Sequence, residues 1–298
     1  QNSPPAQLDS SAASFFKGVK DYYLPPSQYP TGNDLGLFQW TWYESYYDAS
    51  TDSWGVGGED GYGTYTPLNG TYTDFQNGGT LTANIPAYVA ALKAQDASIR
   101  PSFYTLSMAF SQKNPTYATG NWPAYACKDA SGNDHGDGMV VPMDPSKGVW
   151  QDHYASVIED VLIPLGADGV YLDNPYIVYQ GCFDASQGHL GQGGTYLFGG
   201  YATLMKKIRT VDPNFVLFFE QGIEAYLSSA DTFSNLGHTD EPLAGVPNPN
   251  ENVERVPLIE TIYHDYIVFN SANAYPDISA GAYEDHTATG NPSVLGEA

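Results

Sequence analysis

Between Gly166 and Pro175 the chain reads GADGVYLDNP, and no other stretch limits its fold so tightly. Ala167, Gly169, Val170, Tyr171 and Leu172 form a short, nearly continuous apolar run that stops at Asp173. A run of this length between turn signals suits a strand of a parallel sheet, buried on both faces. Proline cannot donate to a ladder, so Pro175 ends the strand and leaves Asp173 at its C-terminal tip. In α/β barrels, chemistry is done at that end of the strands. Asp173 is therefore the first candidate catalytic carboxylate.

The neighbouring sequence repeats the pattern. GLFQWTW (Gly36–Trp42), SFYTLSM (Ser102–Met108), FVLFF (Phe215–Phe219), Thr232–Leu236 and VPLIETIY (Val256–Tyr263) read as further strands. Asn84 reads as the N-cap of a helix with Ile85, Val89 and Leu92 on one face. Asp144 with Pro145 opens another, in which Trp150, Tyr154, Val157, Ile158, Val161 and Leu162 recur at i, i+3/i+4. A third carries Leu197, Tyr201, Leu204, Met205 and Ile208 inward. Strands alternating with amphipathic helices imply βαβ units and a parallel sheet. The expected fold is an α/β (β/α)8 TIM-type barrel. Six strands are legible where eight are needed, so the barrel is either incomplete or has cryptic first and last strands. An N-terminal extension (1–30), a barrel domain (31–276) and a polar tail (277–298) are expected. Long loops are expected at 43–80, 111–142, 176–194 and 237–255, and long loops on such scaffolds shape sites.

Composition narrows the partners. Acidic residues outnumber basic ones by 34 to 11, a formal net charge of −23. Such an acidic protein repels phosphate backbones and anionic membranes, so neither nucleic acid nor membrane is an expected partner. No run of about 18 apolar residues is present to span a bilayer. The polar surface is rich in Ser, Thr, Asn, Gly and Tyr, which suits a secreted protein handling a neutral, hydroxyl-rich ligand. QNSPPAQLDSSAAS at the N-terminus reads as a mature end left by removal of a signal peptide. Cys127 and Cys182 stand in polar loops, compatible with one disulfide in an oxidising compartment or with two thiols.

Glu220 follows FVLFF as Asp173 follows GVYL. In a barrel the two would stand on neighbouring strands at the same end. Paired carboxylates are what glycoside hydrolysis needs, one as nucleophile or base and one as acid. Glu224, four residues on, competes with Glu220 or contacts a sugar hydroxyl. Aromatic faces stack on the C–H side of sugar rings, which makes Trp40, Trp42, Tyr104, Trp122 and Tyr176 candidate substrate contacts. Trp40 and Trp42 alternate on one strand and so project to one side. Asn174, His189, Glu260, Tyr263 and His264 are candidates for hydroxyl contacts. No metal or other cofactor is required. The weaker alternative is structural calcium at Asp129, Asn133 and Asp137 in DASGNDHGDG, where the glutamate that closes an EF-hand loop is replaced by Val140. HExxH, GxSxG, Walker and GxGxxG patterns are absent from fitting contexts, which argues against zinc peptidases, α/β-hydrolases and nucleotide enzymes.

The chain resembles the glycoside-hydrolase-type (β/α)8 barrels, and among them a poorly characterised bacterial family. The matching pieces are VVPMDPSKGVWQDHY, GADGVYLDNP, CFDASQGHLGQGGTYLFGGYATLMKKIR, FFEQGIEAYLSSAD and VPLIETIYHDY, in order over roughly Val140–Tyr266. The DGVYLD ending is also similar to endo-α-N-acetylgalactosaminidases and the wider α-galactosidase-like barrels. That resemblance implies Asp173 as nucleophile, Glu220 as acid/base and a retaining α-glycosidase. The expected function is a secreted glycoside hydrolase acting on a neutral oligosaccharide, polysaccharide or glycan. The alternatives are a non-catalytic carbohydrate-binding or structural secreted protein on a glycosidase-like barrel, and a calcium-dependent assembly module.

Overall fold

The structure, a computed structural model, describes residues 7–23, 27, 35–39, 42–44, 46–48, 53–56, 61–74, 80–135, 140–173, 182–183, 195–220, 226–234 and 268–270. The chain divides into two compact units, Gln1–Val216 and Leu217–Ala298.

In the first unit, strand β1 (Gln7–Leu8) and helix α1 (Ala12–Tyr23) precede β2 (Leu35–Gln39). Then come β3 (Tyr46–Asp48), β4 (Ser53–Val56), β5 (Asn69–Asp74), β6 (Thr80–Asn84), α2 (Ile85–Gln95) and β7 (Ile99–Leu106). They are followed by β8 (Ala109–Ser111), α3 (Pro115–Thr119), β9 (Val140–Pro142) and α4 (Gly148–Ser156). A π-turn over Val157–Leu162 and α5 (Ile163–Leu165) carry α4 onward to β10 (Gly169–Asp173), and α6 (Thr195–Val211) completes the series.

Three strands set up the site. Strand β7 lies between β2 and β10 and is parallel to both. Every described residue of β7 except Arg100 is buried, as are all five of β10. This is the burial pattern of strands covered on both faces, and it accounts for the uninterrupted apolar run. Thr105 on β7 donates to the Tyr171 carbonyl at 3.2 Å, so the Tyr154 hydroxyl on α4 gives its hydrogen to Thr105 across 2.5 Å. That face of the sheet is helix-covered. The opposite face carries Ser102, Tyr104 and Leu106 of β7 beside Gly169, Tyr171 and Asp173 of β10, paired row by row.

The stretch before Asp173 is set by two glycines. Gly166 ends the α4–α5 rod at φ +91°, with its N–H bonded to the Ile163 carbonyl and that of Ala167 to the Leu162 carbonyl. This left-handed stop costs glycine little. At Gly169, an added Cβ would lie 2.7 Å from the Val216 carbonyl oxygen and 2.8 Å from Ser102 Oγ. Only a residue without a side chain lets the backbones approach so closely.

The helix expected from Asn84 is present: its Oδ1 accepts from the Ala87 N–H at 2.9 Å, and Ile85, Tyr88, Val89 and Leu92 are buried. Asp144 behaves differently from expectation. Its Oδ1 accepts from the N–H and hydroxyl of Ser146, forming a turn that precedes the helix, and α4 itself starts at Gly148.

Structure also occurs where only loops were expected. The 43–80 stretch holds β3, β4 and β5, which join β6 and β1 in a five-stranded sheet of order β1-β6-β5-β4-β3. Asn69, Gly70, Thr71, Thr80 and Thr82 on it are exposed, so no alternating apolar pattern marks these strands. The 111–142 stretch contains α3, and its ends pair as the β8–β9 hairpin. Within the first 30 residues α1 packs along α2, with Ala12 and Ala13 buried and Lys20 Nζ 2.7 Å from Asp96 Oδ2. Among the described residues no helix is long and apolar enough to cross a membrane.

The second unit contains most of β11 (Val216–Phe219), then β12 (Thr232–Ser234) and β13 (Val268–Asn270). All three are parallel, with Phe219 opposite Phe233 and Phe233 opposite Phe269. The Asp231 carboxylate accepts from the Leu217 N–H at 2.7 Å and so fixes the start of this ladder. Strand β13 was not among the strands expected from sequence, and the expected strand at Val256–Tyr263 lies outside the described residues. The architecture is thus mixed α/β with parallel strands, and the described residues show no closed barrel.

Candidate active site

Asp173 is the last residue of β10 and is 9% exposed. Tyr104 lies on the same face of β7, opposite Tyr171, one step back in the register. Its ring stacks on that of Tyr171 with centroids 6.1 Å apart. This geometry brings the Tyr104 hydroxyl to Asp173 Oδ2 at 2.5 Å, as donor. The Tyr62 hydroxyl lies 2.9 Å from that of Tyr104. Tyr43, in turn, is hydrogen-bonded to Tyr62.

Proton counting gives this chain a direction. A phenol has one hydrogen to donate. Tyr104 gives its hydrogen to the carboxylate, so Tyr62 donates to Tyr104, and Tyr43 to Tyr62. Burial first, then the neighbouring Tyr62 and Asp173, raise Tyr104 far above the ordinary tyrosine range. Burial likewise pushes Tyr43 and Tyr65 well up. The phenols therefore remain neutral donors, and hydrogen bonds aligned in one direction polarise one another.

Other aromatics brace the frame. Trp42 is fully buried, donates from Nε1 to the Tyr104 carbonyl at 2.7 Å and stacks on Tyr65. It lies outside β2, and its ring is committed to packing with no face open to a sugar. Tyr65 donates to the Leu106 carbonyl at 3.1 Å and accepts the Leu106 N–H at 2.8 Å. Leu106 is the register partner of Asp173, so the strand end is pinned where the carboxylate stands.

Trp122 is half-buried, with His153 at 4.4 Å between ring centroids and Phe110 at 5.3 Å. His153 Nε2 lies 2.6 Å from the Gly63 carbonyl, so Nε2 carries the hydrogen. Glu220 directly follows β11, is half-buried and belongs to the second unit. Trp40, Asn174, Tyr176, His189, Glu224, Glu260, Tyr263 and His264 lie outside the described residues. So does Asp137 of the calcium alternative. Asp129, its first residue, accepts from the Ser131 and Asn133 N–H groups and from the Asn133 side chain. Its carboxylate is thereby taken up by its own turn. Among the described residues no three His, Cys, Asp or Glu side chains cluster to hold a metal. Cys127 and Cys182 are both thiols and both buried.

Sequence reasoning paired Tyr104 with sugar stacking and passed over Tyr43, Tyr62 and Tyr65. Their only signal was the abundance of tyrosine within a stretch otherwise read as a loop.

Residues 82–275, more than half of the chain, match the family described as a domain of unknown function, DUF6259. The chain belongs to the DUF6259 family. No curated protein matches this DUF6259 chain in sequence. Among solved structures it is similar to the α-N-acetylgalactosaminidase NagBb from Bifidobacterium bifidum, at a TM-score of 0.50 and 13% identity, over 87% of this chain and 48% of that one. This likeness is one of fold alone. Lower likenesses are to the α-galactosidase TtGalA from Thermus thermophilus and to the glycoside hydrolase domain of PelA from Pseudomonas aeruginosa. TtGalA matches at a TM-score of 0.39 and 16% identity, over 50% of this chain and 29% of that one. PelA matches at 0.41 and 16%, over 67% and 66%. The DUF6259 chain thus spans under a third of the length of TtGalA and about half that of NagBb.

Proposed function

We propose that this protein is a secreted glycoside hydrolase acting on a neutral oligosaccharide, polysaccharide or glycan, on a (β/α)8-type barrel and with retention of configuration. The observation that carries this reading is the placement of Asp173. It is a nearly buried carboxylate at the C-terminal tip of a parallel strand, held through Oδ2 by a phenol that stays neutral. A carboxylate fixed by one oxygen has a defined line of attack for the other, and that suits a nucleophile. The fold shared with NagBb supports the same reading.

In this scheme an Asp173 oxygen bonds to the anomeric carbon as the glycosidic C–O bond breaks. Glu220 gives its proton to the departing oxygen. Glu220 then takes a proton from water, whose oxygen displaces Asp173 from the glycosyl ester and restores both carboxyl groups. The role of Glu220 rests on its place directly after β11 and on the resemblance set out above. Trp122, which is half-buried, is a candidate for sugar contacts, together with Trp40, Asn174, Tyr176, His189, Glu224, Glu260, Tyr263 and His264. A surface of net charge −23 favours neutral over anionic substrates.

The test is hydrolysis of a panel of aryl glycosides, including α-galactosides and α-N-acetylgalactosaminides, by wild type and Asp173→Asn. The substitution is expected to lower turnover by about a thousandfold or more while leaving the circular dichroism spectrum unchanged. Wild-type turnover in the variant would sink the assignment.

A further inference from the structure

We propose that Cys127 and Cys182 join in a disulfide when the chain folds in an oxidising environment, and that this bond fastens Cys182 and Phe183 to the β8–β9 region. The inference is independent of the proposed activity. It rests on how the backbone brings the two cysteines together. Cys127 is fixed on both sides: its N–H donates to the Pro142 carbonyl at 2.8 Å, and its carbonyl accepts the His135 N–H at 2.9 Å. The next residue, Lys128, accepts the Phe183 N–H at 2.9 Å, so the residues that follow the two cysteines are directly hydrogen-bonded. Both cysteine side chains are completely buried, and the thiols are in hydrogen-bonding contact with each other. Backbones this close, with side chains meeting between them, satisfy the reach that a disulfide requires.

Metal binding is the other common use of paired cysteines. It needs further ligands, and no group of three metal-ligating side chains occurs among the described residues.

The chemistry balances with an oxidant of the disulfide class, such as glutathione disulfide. One cysteine thiolate attacks it and releases one glutathione thiol. The second cysteine thiolate attacks the mixed disulfide and releases another, and the two cysteine protons end on the two glutathione thiols. The contact with Cys182 and burial raise the Cys127 thiol well above the ordinary range. The reactive thiolate is therefore scarce once the chain is folded, and exchange runs during folding, before the pair is buried.

The protein is refolded in a glutathione redox buffer, denatured without reductant, treated with iodoacetamide and weighed intact. The expected result is no alkylation and a mass lower by two hydrogens, with one non-reduced peptide pair joining Cys127 to Cys182. Alkylation of both cysteines, or bridging only between chains, would overturn the proposal. A second measurement starts from the wild-type protein. Reduction should lower its melting temperature by on the order of 5–10 °C. The Cys127→Ala/Cys182→Ala double variant should melt at the lower temperature with or without reductant. A wild-type melting temperature indifferent to reductant contradicts the fastening role.

Discussion

Tyr104 donates its hydroxyl hydrogen to Asp173 Oδ2 across 2.5 Å, from one parallel strand to the next. Behind it Tyr62 and then Tyr43 donate in sequence, so the carboxylate stands at the end of a one-way row of neutral phenols. Two substitutions probe this row. Tyr104→Phe keeps the ring stacked on Tyr171 and removes only the donor. We expect kcat on any glycoside the wild type cleaves to fall by about 10- to 100-fold with KM little changed. Tyr62→Phe acts one residue further back and should cost several-fold less. Equal losses in the two variants, or a loss confined to KM, would refute the row as a positioning device.

The same substitutions carry a stability cost. In Tyr104→Phe the Tyr62 hydroxyl and the Asp173 carboxylate each lose their bond to Tyr104, which should destabilise the fold by about 1–2 kcal/mol in urea unfolding. In the Tyr62→Phe/Tyr104→Phe double variant the bond between the two phenols is lost once rather than twice, so the loss should be less than the sum of the two singles.

Acid should loosen the contact between α1 and the end of α2. Lys20, 3% exposed, holds Asp96 down to about 2 from its ordinary 3.8, with help from Ser98. A carboxylate lowered in the folded state adds stability that is present above its unfolded value and lost as pH falls through its folded one. The window therefore runs from about 3.8 down to about 2. Asp96→Asn should flatten the decline of the unfolding midpoint over that window. A decline of unchanged steepness would contradict the pairing.

His153 gives a second pH signature, higher up. Burial among Trp122, Phe110 and Trp150 lowers it from its ordinary 6.5, so the folded protein takes up its proton later than the unfolded chain does. Stability is thus expected to be full above about 6.5 and to decline as pH falls below it. In His153→Gln the slope of the unfolding midpoint below about pH 6.5 should shrink. An identical slope in wild type and variant would show that His153 does not contribute.

Gly169→Ala tests the close approach that seats β10. The new methyl would press on the Val216 carbonyl and Ser102 Oγ. A loss of about 2–3 kcal/mol in chemical denaturation is expected. A neutral outcome would mean that the strands separate without strain.

The parts of this structure that are legible in sequence are those in which local residues decide the outcome. Strand β10 was readable because burial on both faces writes an unbroken apolar run that ends at Asp173. The cap at Asn84 was readable because one side chain and one nearby N–H suffice. Strands β3 to β5 were not, since exposed Asn69, Gly70 and Thr71 leave no period of apolar residues to detect. The link from Tyr104 to Asp173 was beyond reach for another reason. It depends on the β7–β10 register and on the placement of Tyr62, contacts between residues 69 and 42 positions apart in sequence. Trp42 misled because alternation specifies a side of a strand, whereas the chain leaves β2 before reaching it and folds the indole into the core.

A nucleophilic Asp173 becomes covalently bonded to the sugar, and mass spectrometry can detect that bond. Glu220→Gln should slow release of the glycosyl ester, so mixing this variant with an activated aryl glycoside that the wild type cleaves should let the ester accumulate. The expected result is one added glycosyl mass on the proteolytic peptide that contains Asp173, absent when Asp173→Asn is added to the variant. An unmodified Asp173 peptide during continuing turnover, or the sugar on a different carboxylate, would contradict it.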